Sequence, residues 1–139
     1  MGIKLLPILS LILVCSLVKP AAADSFINAV KRADHQAVRK SLEKDPSLVT
    51  KRDETGYTPL HWAGILGEWH IFNNILENNA PVNAVGGDGG TPLHWACHHD
   101  NDEMIQLMLD KGADLTVSNR WGRTPLHVAV RRGNEKVAD

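Results

Sequence analysis

The hexapeptide TPLHWA stands at Thr58–Ala63 and again at Thr91–Ala96, and TPLHVA stands at Thr124–Ala129, with starts 33 residues apart both times. A period of this size means an array of stacked supersecondary units, each too small to bury its own apolar face alone. The period reaches well beyond the hexapeptide. Gly56, Gly89 and Gly122 precede each copy by two residues. Downstream, Ile71 and Phe72 fall in step with Met104 and Ile105 and with Val137 and Ala138, while Ile75 and Leu76 match Met108 and Leu109. Spacings of i, i+1, i+4 and i+5 put these side chains on one helix face. A degenerate earlier copy, Ala37, Val38, Ser41 and Leu42, fits at an offset of 34. The chain therefore divides into four units, roughly 24–52, 53–85, 86–118 and 119–139.

Each unit follows one physical grammar. Thr is a good N-cap, and Pro suits the first helical turn, where its missing N–H costs nothing. The His three residues after Thr occupies the place of Glu or Gln in a capping box, and the following Ala lets a second helix approach. This predicts a short first helix, about Pro59–Leu66 in the second unit, broken at Gly67 and by the matching Gly133. A second helix, about Trp69–Asn78, follows. It should end at Asn79, Gly112 or, in the first unit, Asp45, residue types that tolerate a left-handed backbone. Asp100 replaces the turn glycine of the third unit, so strain is expected there. The segments NAVGGDGG and TVSNRWGR are turn-rich, as projecting hairpins would be.

This pattern, G-x-TPLH-x-A, then a helix pair, then G-A-D, resembles the ankyrin repeat. KGADLTVSNRWGRTPLHVAV matches it strongly and NNAPVNAVGGDGGTPLHWAC well, and the likeness covers essentially all of 24–139. The first unit has SFINAV in place of TPLH, which suits a degenerate N-terminal cap. The resemblance implies an all-α repeat solenoid of stacked helix-turn-helix units with β-hairpin-like loops, about 3.5 repeats in all. The fourth unit's second helix would begin near Asn134, and the sequence stops at Asp139 before the next core pair. Residues from about Gly133 onward are expected to fray. The end would then be covered by another chain or by self-association, or the sequence would be the N-terminal part of a larger array.

Residues 1–23 read differently. MGIK carries one cation, Leu5 to Val18 is an apolar run of 14 residues, and KPAAA ends in small residues before Asp24. That layout predicts a secretory signal peptide cut after Ala23. The alternative of an uncleaved anchor needs roughly 20 apolar residues. A lipoprotein cut before Cys15 would want a small residue where Val14 stands. The leader holds Lys4 and Lys19 and no acid, so the remainder is more acidic than the formal charge of −1 for the whole chain. No basic stripe argues for nucleic acid. After cleavage only Cys97 remains, so no internal disulfide can form, and no N-x-S/T sequon is present. An exported protein with neither feature suits a periplasm; the expected location is periplasmic or secreted, with no membrane contact after cleavage.

Repetition also sorts the candidate chemistry. His61, His94 and His127 recur in register, so they are architectural, and Cys97 is expected to be a packed, inert thiol. His98, His99 and Asp100 invite a metal-site or enzyme reading. Adjacent residues at a helix end diverge, however, and a site needs three or four convergent ligands. GGDGG does not open a helix as a phosphate-binding loop would. No cofactor is expected. Trp62 and Trp95 read as added packing area.

The resemblance places partner contacts on loop tips and on the first helix of each unit. Here those are Arg52, Glu54, Thr55 and Tyr57 in the first tip, and Val85, Asp88 and Gly90 in the second. The third tip offers Ser118, Arg120, Trp121 and Arg123, and the helix ends add Ile65, Leu66, His98, His99, Arg131 and Arg132. Aromatics beside arginines are the composition of interaction hot spots. The expected function is a non-enzymatic protein-binding module.

Overall fold

The computed structural model describes residues 22–133. The expected leader up to residue 21, and the half-helix with Val137 and Ala138 together with its fraying, lie outside the described residues. Among the described residues there are seven α-helices: α1 (Ala22–Lys31), α2 (His35–Lys44), α3 (Pro59–Leu66), α4 (Trp69–Glu77), α5 (Pro92–His98), α6 (Asp102–Asp110) and α7 (Pro125–Arg132). A 3₁₀ turn spans Pro46–Thr50, and no strand occurs among the described residues.

The first helices α1, α3, α5 and α7 stack in one row, and α2, α4 and α6 in a second row behind them. Three threonines start the repeated helices as the sequence predicts. Thr58, Thr91 and Thr124 are extended N-caps followed by Pro, each closing a capping box with the His three residues on. The Thr backbone N–H donates to His Nδ1 at 3.2, 3.0 and 3.1 Å in turn. With Nδ1 accepting, the proton sits on Nε2, which donates across the unit boundary. His61 Nε2 reaches the Gly90 carbonyl at 3.1 Å and His94 Nε2 reaches the Arg123 carbonyl at 3.0 Å. The repeated imidazole is thus both a cap and a clamp to the next unit.

The core lies between the two rows. Leu60, Ala63, Ile71, Phe72 and Ile75 of the second unit meet Leu93, Ala96, Met104, Ile105 and Met108 of the third, all buried. The first unit supplies Phe26, Val30, Val38, Leu42, Leu48 and Val49 without a TPLH segment. Cys97 is fully buried, and burial pushes its thiol up to about 12, as expected of an inert packing residue.

The turn inside each unit has a left-handed residue at one register position: Ala33 (φ 54°), Gly67 (70°), Asp100 (54°) and Gly133 (75°). The strain expected at Asp100 is present, and Ala33 shares it. Asn79 and Gly112 end the second helices left-handed, at φ 61° and 84°. Asp45 does not: its φ of −147° and ψ of 91° are extended. Pro46 follows it, which disfavours a helical conformation at the preceding residue, and its carboxylate accepts from Ser47 N–H to cap the 3₁₀ turn.

The projecting loops are tight tips rather than two-stranded ladders. Each is closed by two bonds in register: Asp53 N to Tyr57 O, Gly86 N to Gly90 O and Asn119 N to Arg123 O at 3.0, 2.8 and 2.9 Å, and Gly56 N to Asp53 O, Gly89 N to Gly86 O and Gly122 N to Asn119 O at 3.0, 2.9 and 2.9 Å. Neighbouring tips are tied directly. Arg52 Nη1 donates to the Gly56 and Val85 carbonyls at 2.7 and 2.6 Å, and Arg120 N–H to Asp88 O at 2.8 Å.

Candidate partner-binding groove

Tip residues and first-helix residues line the same hollows, so the row of tips and the row α1–α3–α5–α7 form two sides of one groove. Trp95 and Val128, at the position just after the repeated His, line it at the third and fourth units, and Trp62 holds that position in the second. The two indoles are only half-buried. Sequence reasoning took them for packing; the signal that they face the groove was their variation, Trp, Trp, Val, inside an otherwise constant hexapeptide.

At the first tip, Asp53 is a hub. It accepts from Trp62 Nε1 at 2.8 Å, from the Thr55 and Tyr57 amides, and from the Thr55 hydroxyl, and it pairs with Lys31 Nζ at 3.1 Å. Partial burial opposes ionisation, but these donors prevail and hold its carboxyl down at about 2. Lys31 also lies over the Trp62 ring at 4.3 Å. The second tip has Gly86 in that register place, and Trp95 Nε1 is buried with no hydrogen-bond partner among the described residues. The third tip has Asn119, whose side-chain oxygen accepts from the Trp121 and Arg123 amides.

The expected contact residues separate into two groups. Several belong to the frame. Arg52 is occupied by two carbonyls. Asp88, expected at an exposed tip, is 9% exposed: its carboxylate accepts from Gly90 N–H and lies near the Tyr57 phenol. Gly90 is buried, its carbonyl held by His61. Tyr57 is half-buried, edge-on to Trp62 and Trp95 at 5.6 and 6.3 Å; burial and the nearby Asp88 raise its phenol pKa. His99 donates from Nε2 to the Ile65 carbonyl and packs beside Gly67, so it joins the third unit to the second.

The rest are on display. Glu54, Thr55, Ser118, Arg120, Arg123, Arg131 and Arg132 are exposed, as are Leu66 and Val85. Trp121 is 57% exposed with the Arg120 guanidinium over its ring at 4.4 Å. Ile65 is half-buried. His98 is exposed, and one guanidinium nitrogen of Arg132 lies 3.0 Å from its Nε2. Partial burial, then the charges of Arg132, His99 and Arg131, lower its pKa. His98 and His99 thus point to different partners, Arg132 and Ile65. Asp100 forms the left-handed turn after them, and no group of three or more His, Cys, Asp or Glu among the described residues could hold a metal ion.

Comparison with known proteins agrees with this architecture. A family model described as ankyrin repeats (3 copies) matches residues 66–139, just over half of the chain. The chain is 49% identical over 51 residues to the serine/threonine-protein kinase VIK of Arabidopsis thaliana, covering 37% of this chain and 12% of that protein. It is 32% identical over 65 residues to the palmitoyltransferase AKR1 of Gibberella zeae, covering 47% and 9%, and 34% identical over 64 residues to the palmitoyltransferase akr1 of Schizosaccharomyces pombe, covering 46% and 10%. The chain thus spans about a tenth of the length of these relatives. Ankyrin repeats indicate a protein–protein interaction module. The register of caps, clamps and turns and the family match carry the same conclusion: this chain belongs to the ankyrin repeat family.

Proposed function

We propose that the chain is a non-enzymatic binding module that holds one protein partner in the groove between its tips and first helices. The observation that carries this reading is where the repeats differ. The capping threonines, clamping histidines and core apolar positions recur, while the groove positions change from unit to unit. A rigid frame that presents variable side chains binds without ordering itself first, which lowers the entropic cost of association. The alternative enzyme reading, with His98, His99 and Asp100 as its chemistry, has less support, because those residues bond within the array. The likeness to a kinase and to palmitoyltransferases covers about two repeats' length or less, 51 to 65 residues, and gives no ground for carrying their activities over.

The leader supports action outside the cytoplasm, in a periplasm or after secretion, and cell fractionation tests that directly. The binding reading is tested by expressing the full chain with its leader, capturing what the processed protein retains, and repeating the capture with Trp121→Ala and Lys40→Ala. Trp121 is exposed in the groove; Lys40 is exposed on α2, in the rear row. Loss of the same partner with Trp121→Ala alone, at unchanged thermal stability, is the expected result. Equal retention by both variants would reject the groove as the binding surface.

A further inference from the structure

The groove is graded. Four register positions of the tips and first helices change character from unit to unit. In the second unit they hold Tyr57, Trp62, Ile65 and Leu66; in the third Gly90, Trp95, His98 and His99; in the fourth Arg123, Val128, Arg131 and Arg132. One set of positions thus passes from aromatic and aliphatic, through imidazole, to guanidinium. Its two ends differ in charge. At the first tip, Asp24, Asp53, Glu54 and Lys31 line a hollow of about 330 Å³, and Lys31 is already paired with Asp53. At the far end, His98, Arg123, Val128, Arg131 and Arg132 line one of about 400 Å³ that has no carboxylate in its wall. Among the described residues, no ion pair joins those three arginines to an acid.

A neighbouring hollow of about 170 Å³ shares His98, Arg123 and Val128 and adds Trp95 and Trp121. Its one carboxylate, Asp88, is engaged by the Gly90 amide. The indole that lacks a partner in the array, Trp95, stands at this junction of aromatic and cationic walls. Among the described residues these three guanidinium groups have no carboxylate partner, and the one side-chain contact among them is that of Arg132 with His98, so their positive charge is left for recognition. Planar guanidinium forks match carboxylates bidentately.

We propose that the fourth-unit end of the groove docks an acidic peptide segment of the protein partner, with carboxylates on Arg123, Arg131 and Arg132 and a neighbouring apolar side chain against Trp95 and Trp121. This rests on the reading of the chain as an interaction module and adds a chemistry and a direction. The segment runs from acidic residues at the fourth unit to apolar residues over the third, away from the acids of the first tip. A nucleic acid is disfavoured, because a polyanion lying along the groove would meet Asp24, Asp53 and Glu54.

The test uses the full chain and two labelled peptides, one with three Glu beside Leu-Phe, the other with Gln for every Glu, read by fluorescence anisotropy. The Glu peptide binds about tenfold tighter or more, and weakens several-fold between about 0.05 and 0.5 M salt as screening shortens the reach of charge. Arg131→Glu with Arg132→Glu removes that preference; if this variant fails to fold by circular dichroism, Arg123→Gln, whose backbone carbonyl still serves His94, shows the same loss in smaller degree. Equal affinity for both peptides overturns the proposal, as does tighter binding of a single-stranded oligonucleotide. Displacement by tripolyphosphate with no apolar contribution, seen as equal affinity when Leu-Phe is replaced by Gly-Ser, also overturns it. If the Glu peptide fails while Trp121→Ala still releases the captured partner, the acidic-segment proposal falls and the interaction-module reading stands.

Discussion

His61 and His94 each use both ring nitrogens in the fold, and this fixes how acid acts on the protein. Nδ1 accepts from the capping Thr and Nε2 donates to the next unit, so only the neutral ring satisfies the geometry. Burial pushes His61 down to about 4 and lowers His94 in the same direction. An unfolded histidine titrates near 6.5. Their contribution to stability is therefore complete above about pH 6.5 and is lost as the pH falls toward 4, because the unfolded chain takes up protons that the folded one refuses. For His61 the difference corresponds to roughly 3 kcal/mol. Urea midpoints measured from pH 7.5 to 4 should fall steadily through this window; a flat profile would show that these rings are not held neutral. The two tryptophans give a second comparison at this scale. Trp62 Nε1 satisfies Asp53, so Trp62→Phe should cost about 1–2 kcal/mol by leaving that carboxylate short of a donor, whereas Trp95→Phe removes an unpartnered N–H and should be neutral or stabilising. Equilibrium unfolding of both variants decides, and an equal loss from both would contradict the assigned roles.

Elements in this chain are set by punctuation, and most of it was legible. TPLH gave the starts of three helices to the residue, because a cap, a first-turn Pro and a capping-box partner act locally. The breaks at Gly67 and Gly133 were equally plain. Asp100 was expected at the same position; less visible was that Ala33 fills it in the first unit, since its residue type does not announce a left-handed backbone. Asp45 was misread because its neighbour Pro46 overrides its own tolerance for a left-handed backbone. Asp100→Gly should relieve the strained turn and raise stability by about 0.5–1 kcal/mol. A tip makes the opposite case: a Cβ on Gly87 would sit 2.0 Å from the Thr55 carbonyl oxygen, so Gly87→Ala must push two neighbouring tips apart. That variant should lose about 1–3 kcal/mol. Thermal melts of the pair are expected to move in opposite directions, and a rise for both would mean the tips are looser than their bonds imply.

In the whole molecule, stability is passed between neighbours, and this explains which bonds of the candidate residues the sequence alone did not show. The neighbours of Arg52, Asp88, His99 and Tyr57 in the array were not legible because they lie about one period away in the chain, at Val85, Tyr57, Ile65 and Trp95. A period shows which positions are equivalent; it does not show which side chains cross from unit to unit. The same logic makes one residue type unequal along the array. Leu60, Leu93 and Leu126 share a register position, yet the first two are fully buried and Leu126 is 39% exposed. Val130 is 62% exposed where Cys97, its counterpart in the third unit, is fully buried. Helix α5 is packed between α3 and α7, whereas α7 among the described residues stacks on α5 alone. Because each unit owes its stability to its interfaces, Leu93→Ala opens a void in two of them and should cost about 2–4 kcal/mol. Leu126→Ala removes a half-exposed side chain from one and should cost about 1 kcal/mol or less. Urea unfolding of the two variants measures this, with hydrogen exchange expected to show α7 amides opening faster than those of α5. Equal penalties for the two substitutions would mean that the flank of α7 is as well covered as the interior of the stack, and the nearest-neighbour account of the array would have to be abandoned.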